Sequence, residues 1–318
     1  MKLSDQTDFD RATGELFGGL WGPYDQRLFD ESVALFHRRL DLIGFDKEAF
    51  RGKVVLDAGC GGGRNTVAMA QLGVAEAHGI DISLQGIENA ALRAAEYPQV
   101  SFRQASVEDI PYADRTFDVI WCAGVLMHTG HDERVLDELA RVIKPDGLLY
   151  MLVYATGGLR WPLIQLVRPL AAQIGQDRME EAVERSGIPA NKRRTFLDDL
   201  FVPRLDFFHW HRLRQMLARR GFARIERWGP EARLDHEHSL QAYREDLQFL
   251  GKLFNAGCDS HFGDAAPMFS MAASLTEATI DVIGWFEHEV EAGRIPAHEA
   301  MERVIGQGHH RLFATMAA

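Results

Sequence analysis

The stretch KVVLDAGCGGGRNTVAMAQL, residues 53–72, decides the fold of this 318-residue chain. A short apolar run ends at Asp57, which predicts a buried parallel strand. Four glycines follow within residues 59–63, and glycine permits positive φ and a close approach of the backbone to a ligand. A helical pattern then begins and stops at Gly73. Strand, glycine turn and helix start together predict a nucleotide-type site, where backbone N–H groups meet a ligand at the positive end of a helix dipole.

The order of the glycines separates two kinds of nucleotide site. A dinucleotide fingerprint reads G-x-G-x-x-G, whereas this chain has Gly59-x-Gly61-x-Gly63, preceded by Asp57. The next predicted strand, residues 76–82, ends at Asp81, whose carboxylate can accept hydrogen bonds from both hydroxyls of a ribose. A plain turn followed by an exposed aspartate is the alternative for these residues.

The combination resembles the class I S-adenosylmethionine-dependent methyltransferases, whose first motif is typically D-x-G-x-G-x-G. The resemblance implies an α/β fold: a doubly wound, seven-stranded, mostly parallel sheet with helical insertions that form a cap. It also implies S-adenosyl-L-methionine as the cofactor. The positions expected to bind it in this first part are Asp57, Gly59, Gly61, Gly63, Asp81 and Ile82.

A second block, residues 106–130, extends the resemblance. The family's usual wording is G-D-A-E-x-L-P-F, followed by F-D-x-V and by V-L-x-H at a strand end. Ser106, Val107 and Glu108 occupy the first of these motifs, with Ser106 replacing an aspartate that normally bonds the adenine amino group. A serine oxygen can accept that bond too. The resemblance therefore assigns these three residues, and Cys122 in the next strand, to the cofactor site.

His128 stands at the histidine position of V-L-x-H, where the fourth predicted strand ends. The family reaction is an in-line displacement at a sulfonium methyl group, in which alignment of the reactants supplies most of the rate. An oxygen acceptor of high pKa or a carbon acid needs a base, whereas an unprotonated nitrogen does not. The resemblance makes His128 the candidate base or positioning residue. A hydrogen-bonded core histidine is the alternative.

Composition bounds the partners and the compartment. The formal net charge of −11 disfavours a nucleic-acid partner, because phosphate binding needs a basic face. Three unpaired cysteines indicate a reduced, cytoplasmic setting. The N-terminus has no apolar core of a signal peptide, and no apolar run approaches the ~20 residues of a membrane span.

The wording GVLMHT, before a strand ending in a tyrosine, resembles the small-molecule branch of the family, near the ubiquinone-biosynthesis type.

The predicted elements divide the chain into a core and additions. The expected segments are an N-terminal helical lid (1–52), the cofactor-binding core (53–154), a helical insertion near the acceptor pocket (155–205), a core-completing helix and sixth strand (206–230), a helical cap (231–308) and a final antiparallel strand (309–318). Apolar stripes in residues 231–308 must be buried. They could cover the acceptor pocket or pair with a second subunit in a homodimer.

Candidate acceptor-binding residues follow from these segments. They are two aromatic residues of the lid and four residues near the insertion: Trp21, Tyr24, Tyr154, Arg160, His211 and Arg212. Plain packing of the aromatics and ordinary surface arginines are the alternatives. The pairs at residues 209/211 and 236/238 are histidines without a further ligand at familiar spacing, so no metal site is expected.

The leading hypothesis is methyl transfer to a nitrogen, oxygen or carbon nucleophile of a small-molecule acceptor. A tRNA or protein methyltransferase is the alternative within enzymes, and the acidic balance of the chain disfavours RNA. A non-catalytic protein that binds S-adenosylmethionine as a regulator or scaffold is the alternative outside enzymes. The glycine spacing disfavours an NAD-dependent dehydrogenase.

Overall fold

The computed structural model describes residues 6–21, 26–229 and 239–318. The chain divides into two compact units. The sheet unit comprises Met1–Tyr154, Pro203–Ala232 and His309–Ala318, and the helical unit comprises Ala155–Val202 and Arg233–Gly308. The two segments expected as separate insertions thus contribute to one unit.

The sheet unit is built on a seven-stranded sheet. Its strands are β1 (Val54–Ala58), β2 (Glu76–Asp81), β3 (Val100–Gln104), β4 (Phe117–Ala123), β5 (Ile143–Tyr154), β6 (Phe222–Arg227) and β7 (His309–Met316). Their order is β3-β2-β1-β4-β5-β7-β6. The first five pair in parallel, and β7 pairs antiparallel with β5 and β6. The expected fold class is confirmed. The final strand, β7, was expected to be antiparallel, and it is antiparallel to both of its neighbours, so β6 runs in the same direction as β5.

The helices of both units, in chain order, are α1 (Gln6–Trp21), α2 (Gln26–Leu42), α3 (Arg64–Ala70), α4 (Leu84–Arg93), α5 (Asp132–Val142), α6 (Arg160–Ile174), α7 (Gln176–Arg185), α8 (Ala190–Phe201), α9 (Trp210–Ala218), α10 (Leu240–Ala256), α11 (Ala266–Glu291) and α12 (Ala297–Val304). Helices α1–α5 and α9 belong to the sheet unit, and the others belong to the helical unit.

Hydrophobic side chains cover both faces of the sheet, as alternation along parallel strands requires. In β1, Leu56 belongs to a cluster with α5 and α9, whereas the adjacent Val55 belongs to a cluster with α2 and α3. Both faces of the sheet are therefore covered. Ligands of doubly wound folds bind at the carboxyl ends of the central strands.

The segment KPDG, residues 144–147, follows α5 and has a sequence that is typical of a turn. In the structure β5 begins before this segment, at Ile143, which pairs with Phe117, and the regular ladder resumes at Leu148 opposite Val119. Asp146 takes the extra space with a φ of 59°. The segment is thus a bulge inside β5, which a turn-type sequence can also form.

The helical unit buries the apolar stripe predicted on α10, from Leu240 to Phe254. At its centre is a cluster of buried charges. Asp246 of α10 accepts from both Arg160 of α6 and Lys192 of α8, and Arg160 also donates to Asp199 at 2.7 Å. Among the described helices, none combines the length and hydropathy needed to cross a bilayer. The role expected for residues 231–308, in a cap or a homodimer, stays a prediction.

Candidate functional site

The glycine loop after β1 is tied to the neighbouring strand. The backbone N–H groups of Gly59 and Cys60 both donate to the carbonyl of Ile80, at 2.8 and 2.9 Å. Gly59 has a φ of 80°, and a Cβ there would lie 2.2 Å from a methyl group of Val125. Since L side chains rarely adopt such backbone angles, glycine is required at this turn.

Gly61 differs from Gly59 in what surrounds it. Its φ is 50°, yet a Cβ at this position would meet no heavy atom of the protein within 4 Å. Its N–H donates to Oδ2 of Asp81 at 2.8 Å. The loop therefore turns an open backbone face outward, which suits close approach of a ligand.

Asp81, at the end of β2, accepts a hydrogen bond from the glycine loop. The loop and Asp81 were expected to bind the ligand together. Besides Gly61, the N–H of Ser83 donates to Oδ1 of Asp81 at 2.8 Å. Burial raises the pKa of Asp81, and the backbone hydrogen bonds act in the opposite direction. An ionised carboxylate has about four acceptor positions, so Asp81 keeps acceptor capacity for a ribose. The sequence did not reveal the two backbone contacts.

Asp57 is completely buried, and burial raises its pKa to about 7. Its Oδ2 accepts from the hydroxyl of Thr66 at 2.6 Å. Its Oδ1 has no hydrogen-bond partner in the parts of the chain that the structure describes. Buried polar atoms are rarely left unpaired. An orphan oxygen beside an open glycine loop fits a ligand that brings a donor or a positive charge, and S-adenosylmethionine carries an ammonium and a sulfonium.

The loop after β3 places the residues expected on the adenine side. Ser106 Oγ accepts from the N–H of Glu108 at 3.2 Å. The carboxylate of Glu108 is buried and is bonded to Nδ1 of His131 at 2.9 Å, and Arg134 donates to the Glu108 carbonyl. Sequence reasoning missed His131 and Arg134, because pairing across 23 and 26 residues leaves no local pattern.

Val107 and Cys122 belong to the hydrophobic core. The thiol of Cys122 is fully buried, and burial raises its pKa to about 12. The assignment of the Cys122 side chain to the cofactor site is therefore corrected to a packing role. The side chain of Val107, 6% exposed, is likewise part of the core packing.

His128 lies in a short helical turn at the carboxyl end of β4 and is 5% exposed. Its Nδ1 lies 2.9 Å from the carbonyl of Arg204. A carbonyl only accepts, so Nδ1 carries a hydrogen, and in the neutral form of such an imidazole the lone pair is on Nε2.

A row of rings lies along the same edge of the sheet. The ring of Phe17 in α1 is 5.3 Å from His128, Tyr154 at the end of β5 is 5.7 Å from His128, and His309 at the start of β7 is 5.2 Å from Tyr154. We call these four residues the aromatic row. Tyr154 was predicted, whereas Phe17 and His309 were missed, because their proximity depends on the fold and not on spacing.

Three of the remaining predicted acceptor residues have other hydrogen-bond or ion-pair partners. Arg160 lies in the helical unit, 3% exposed and bonded to Asp199 and Asp246. Its predicted role in binding an acceptor is corrected to an internal ion pair. On α9, His211 bonds Gln215 of the same helix, and Arg212 contacts Asp132 at 3.3 Å.

The lid residues stay untested. Trp21 is the last residue of α1, but its side chain and all of Tyr24 lie outside the described residues. Within the described ranges, no group of three or more His, Cys, Asp or Glu side chains is arranged to hold a metal. Residues 236 and 238 lie in the undescribed segment.

Comparison with known proteins places the core of the chain in a family. Residues 56–151 match the methyltransferase domain model. The chain is 36% identical over 115 residues to a ubiquinone biosynthesis O-methyltransferase from Neisseria meningitidis serogroup C, which covers 35% of this chain and 48% of the relative. It is 31% identical over 158 residues to the 27-O-demethylrifamycin SV methyltransferase of Amycolatopsis mediterranei, covering 47% and 57%. The chain thus spans about half the length of these curated relatives.

A solved structure agrees on the fold over a larger share of the chain. The [4+2]-cyclase SpnF aligns with 98% of this chain and 96% of its own, with a TM-score of 0.51 and 18% identity. At that identity the likeness shows the fold alone. The match of residues 56–151 to the methyltransferase domain model agrees with the expected family of the core and with S-adenosylmethionine as its cofactor.

Proposed function

We propose that this chain is a methyltransferase that transfers the methyl group of S-adenosylmethionine to an oxygen of a small, flat acceptor. One observation supports an acceptor that must lose a proton, and the names of two relatives favour oxygen over carbon. The Nδ1 of His128 is engaged by a backbone carbonyl, which orients a ring whose Nε2 can accept a proton from an acceptor hydroxyl.

The aromatic row supports a flat acceptor. Rings present broad apolar faces, and offset or edge contacts between rings add about 0.5–1.5 kcal/mol beyond the area buried. The names of the two relatives add support, since one is an O-methyltransferase of ubiquinone biosynthesis and the other acts on 27-O-demethylrifamycin SV. The net charge of −11 makes a nucleic-acid acceptor unfavourable.

The residues of the chain perform the following steps. Asp81 and the glycine loop hold the cofactor, which supplies an electrophilic methyl group when bound. Tyr154 and Phe17 flank the acceptor, and His128 takes the hydroxyl proton at Nε2 as the oxygen–carbon bond forms. The electrons of the broken carbon–sulfur bond stay on sulfur. A positioned base of this kind contributes about 10²–10⁴-fold to the rate.

The test compares two histidine variants on a panel of catechols and phenols. We expect His128→Asn to lower kcat by about 10²-fold or more, while the affinity for S-adenosylhomocysteine measured by calorimetry stays within about twofold. His37→Asn, which removes an exposed contact with Gln71, is the matched control and should keep full turnover. Undiminished turnover in His128→Asn, or methylation of amines with no phenol turned over, would contradict the proposal.

A further inference from the structure

Helix α11 is apolar on two opposite faces. Its buried face packs within the helical unit against α10 and α6, through residues that include Phe269 and Ile283. The outward face also carries large apolar side chains, because Met271, Val282 and Trp285 are 57%, 44% and 52% exposed. A surface helix ordinarily carries polar residues on its outward face. The packing of the helical unit therefore does not account for the outward face of α11.

The outward apolar residues belong to one continuous stripe. Positions three or four residues apart lie on the same side of a helix. We call five exposed residues, which span about 21 Å of the helix axis, the α11 stripe: Met271, Ser274, Ala278, Val282 and Trp285. None of them is charged. The hydroxyl of Ser274 donates to a backbone carbonyl of the same helix at 3.0 Å, so burying the stripe leaves no side-chain donor unpaired.

The spacing of the α11 stripe is symmetric about Ala278. Its other members stand four and seven positions before Ala278 and four and seven positions after it. In two antiparallel copies of the helix with a two-fold axis at Ala278, Met271 lies opposite Trp285 of the second copy, and Ser274 lies opposite Val282. A two-fold interface requires such self-complementarity, in which residue i contacts residue j and residue j contacts residue i. The small side chain at the axis allows the helices a close approach.

The charges of α11 are compatible with this pairing. The helix has five acidic residues and no lysine or arginine. In the register centred on Ala278, Glu277 lies opposite Thr279 and Asp281 lies opposite Leu275, and the other three acidic residues also lie opposite uncharged positions. Like charges directly across an interface would oppose association, and this register avoids them.

We propose that the α11 stripe is the contact between two copies of this chain, paired antiparallel about Ala278. Aromatic residues and methionine are enriched at the cores of interfaces, and a methionine sulfur makes favourable contacts with an aromatic ring, so Trp285 and Met271 anchor the pair. The stripe measures roughly 20 Å by 10 Å, which is well below the ~800 Å² that each partner buries in a standard interface. The dimer is therefore weak and forms as the protein concentration rises. This inference does not depend on the cofactor or on the acceptor.

Sedimentation velocity of the full chain, from about 1 to about 200 µM, measures the dissociation constant of the dimer. We expect the wild type to shift from monomer to dimer over this range. Ala278→Glu should raise the dissociation constant about tenfold or more, because two carboxylates would meet at the two-fold axis. Both residues are good helix formers, so the circular dichroism spectrum should be unchanged. Ala91→Glu, at an exposed position of α4 in the sheet unit, is the matched control and should dimerise like the wild type.

Cysteine cross-linking with a short bis-maleimide tests the register. The background variant is Cys258→Ser, which removes the exposed cysteine among the three. Ala278→Cys should cross-link to itself. Met271→Cys should cross-link to Trp285→Cys in a mixture but not to itself, because the two copies of position 271 lie about 21 Å apart along an antiparallel pair.

Three results would overturn the proposal. They are a wild type that is monomeric at every concentration, equal dimerisation of Ala278→Glu and Ala91→Glu, and self-cross-linking of Met271→Cys as efficient as that of Ala278→Cys. A monomeric wild type that binds a basic amphipathic peptide, with binding lost in Trp285→Ala, would assign the α11 stripe to a different protein partner instead.

Discussion

The two units bury aspartates in opposite ways. In the helical unit, Asp246 is 4% exposed and gives one oxygen to Arg160 and the other to Lys192. In the sheet unit, Asp57 is completely buried but shares only one oxygen, with Thr66, and its Oδ1 is unpaired among the described residues. The two aspartates are similarly buried, but they differ in their hydrogen-bond and ion-pair partners.

The difference separates structure from function. Buried charges that neutralise one another inside a unit hold its helices in place, and removing one partner leaves the other stranded. Buried polar atoms left without a partner cost stability that a ligand can return. The unpaired oxygen of Asp57 lies in the strand residue two before Gly59 of the open glycine loop, so the sheet unit is where a ligand is expected.

The largest expected effect comes from closing the open loop. Gly61→Val should abolish binding of S-adenosylhomocysteine, because its side chain would fill the space in front of the loop and its φ of 50° disfavours any L residue. Calorimetry on the folded variant measures this.

Gly52→Val is the matched control. Gly52 also has a positive φ, 67°, and open space for a Cβ, but it precedes β1 at the other end of that strand. It should lose a similar stability, roughly 1–2 kcal/mol for the backbone strain, and keep its affinity. If both variants bound equally well, or both equally poorly while folded, the loop would not be the site.

The helical unit should respond in stability and not in binding. Arg160→Ala removes the cation that Asp199 and Asp246 share, so we expect the free energy of unfolding to fall by about 3–5 kcal/mol. Chemical denaturation measures it. Arg303→Ala breaks an exposed pair with Glu299 on α12 and should cost less than about 0.5 kcal/mol. A small loss in Arg160→Ala would mean that the buried cluster does not hold the unit together.

Asp57 predicts a pH dependence of opposite sign to that of a paired carboxylate. Its pKa is raised from 3.8 in the unfolded chain to about 7 by burial, so the folded state binds the extra proton between these values. Its contribution to stability is therefore fully present below pH 4 and is lost as pH rises through 7. A difference of about three between the pKa of the folded and the unfolded state corresponds to about 4 kcal/mol of free energy of unfolding. Unfolding curves of the ligand-free protein should show Asp57→Asn flatter in this window, and parallel curves would contradict the argument.

The sequence was informative where structure is local. The strand, glycine loop and helix from Val54 to Ala70 follow from residues that are adjacent in the chain. The cap of α4 is local too, because Ser83 directly precedes this helix and accepts from the N–H of Gly86. The sequence was uninformative where the partners of a contact are far apart along the chain. The bonds of Arg160 span 39 and 86 residues, and the contact of Phe17 with His128 spans more than a hundred. Such pairs are fixed by topology, and a hydrophobic pattern does not encode them.

The bulge in β5 shows a different limit. A Pro-Asp-Gly sequence favours a turn and a bulge alike, because both need a residue that tolerates unusual backbone angles. The choice depends on whether β4 pairs on both sides of the segment, as it does here from Phe117 and from Val119. Local chemistry allowed both outcomes, and sheet pairing selected one.

The central claim is that the sheet unit binds S-adenosylmethionine with Asp81 at its ribose. Its most direct test is calorimetry with S-adenosylhomocysteine on the wild type, on Asp81→Ala and on Asp118→Ala. Asp118 also accepts from a backbone N–H, that of Val54 at 2.9 Å, but at the opposite end of the strands. We expect the wild type and Asp118→Ala to bind alike and Asp81→Ala to lose at least about 1.5–3 kcal/mol, the value of one hydrogen bond to a charged group. Equal affinity in all three proteins would contradict the account.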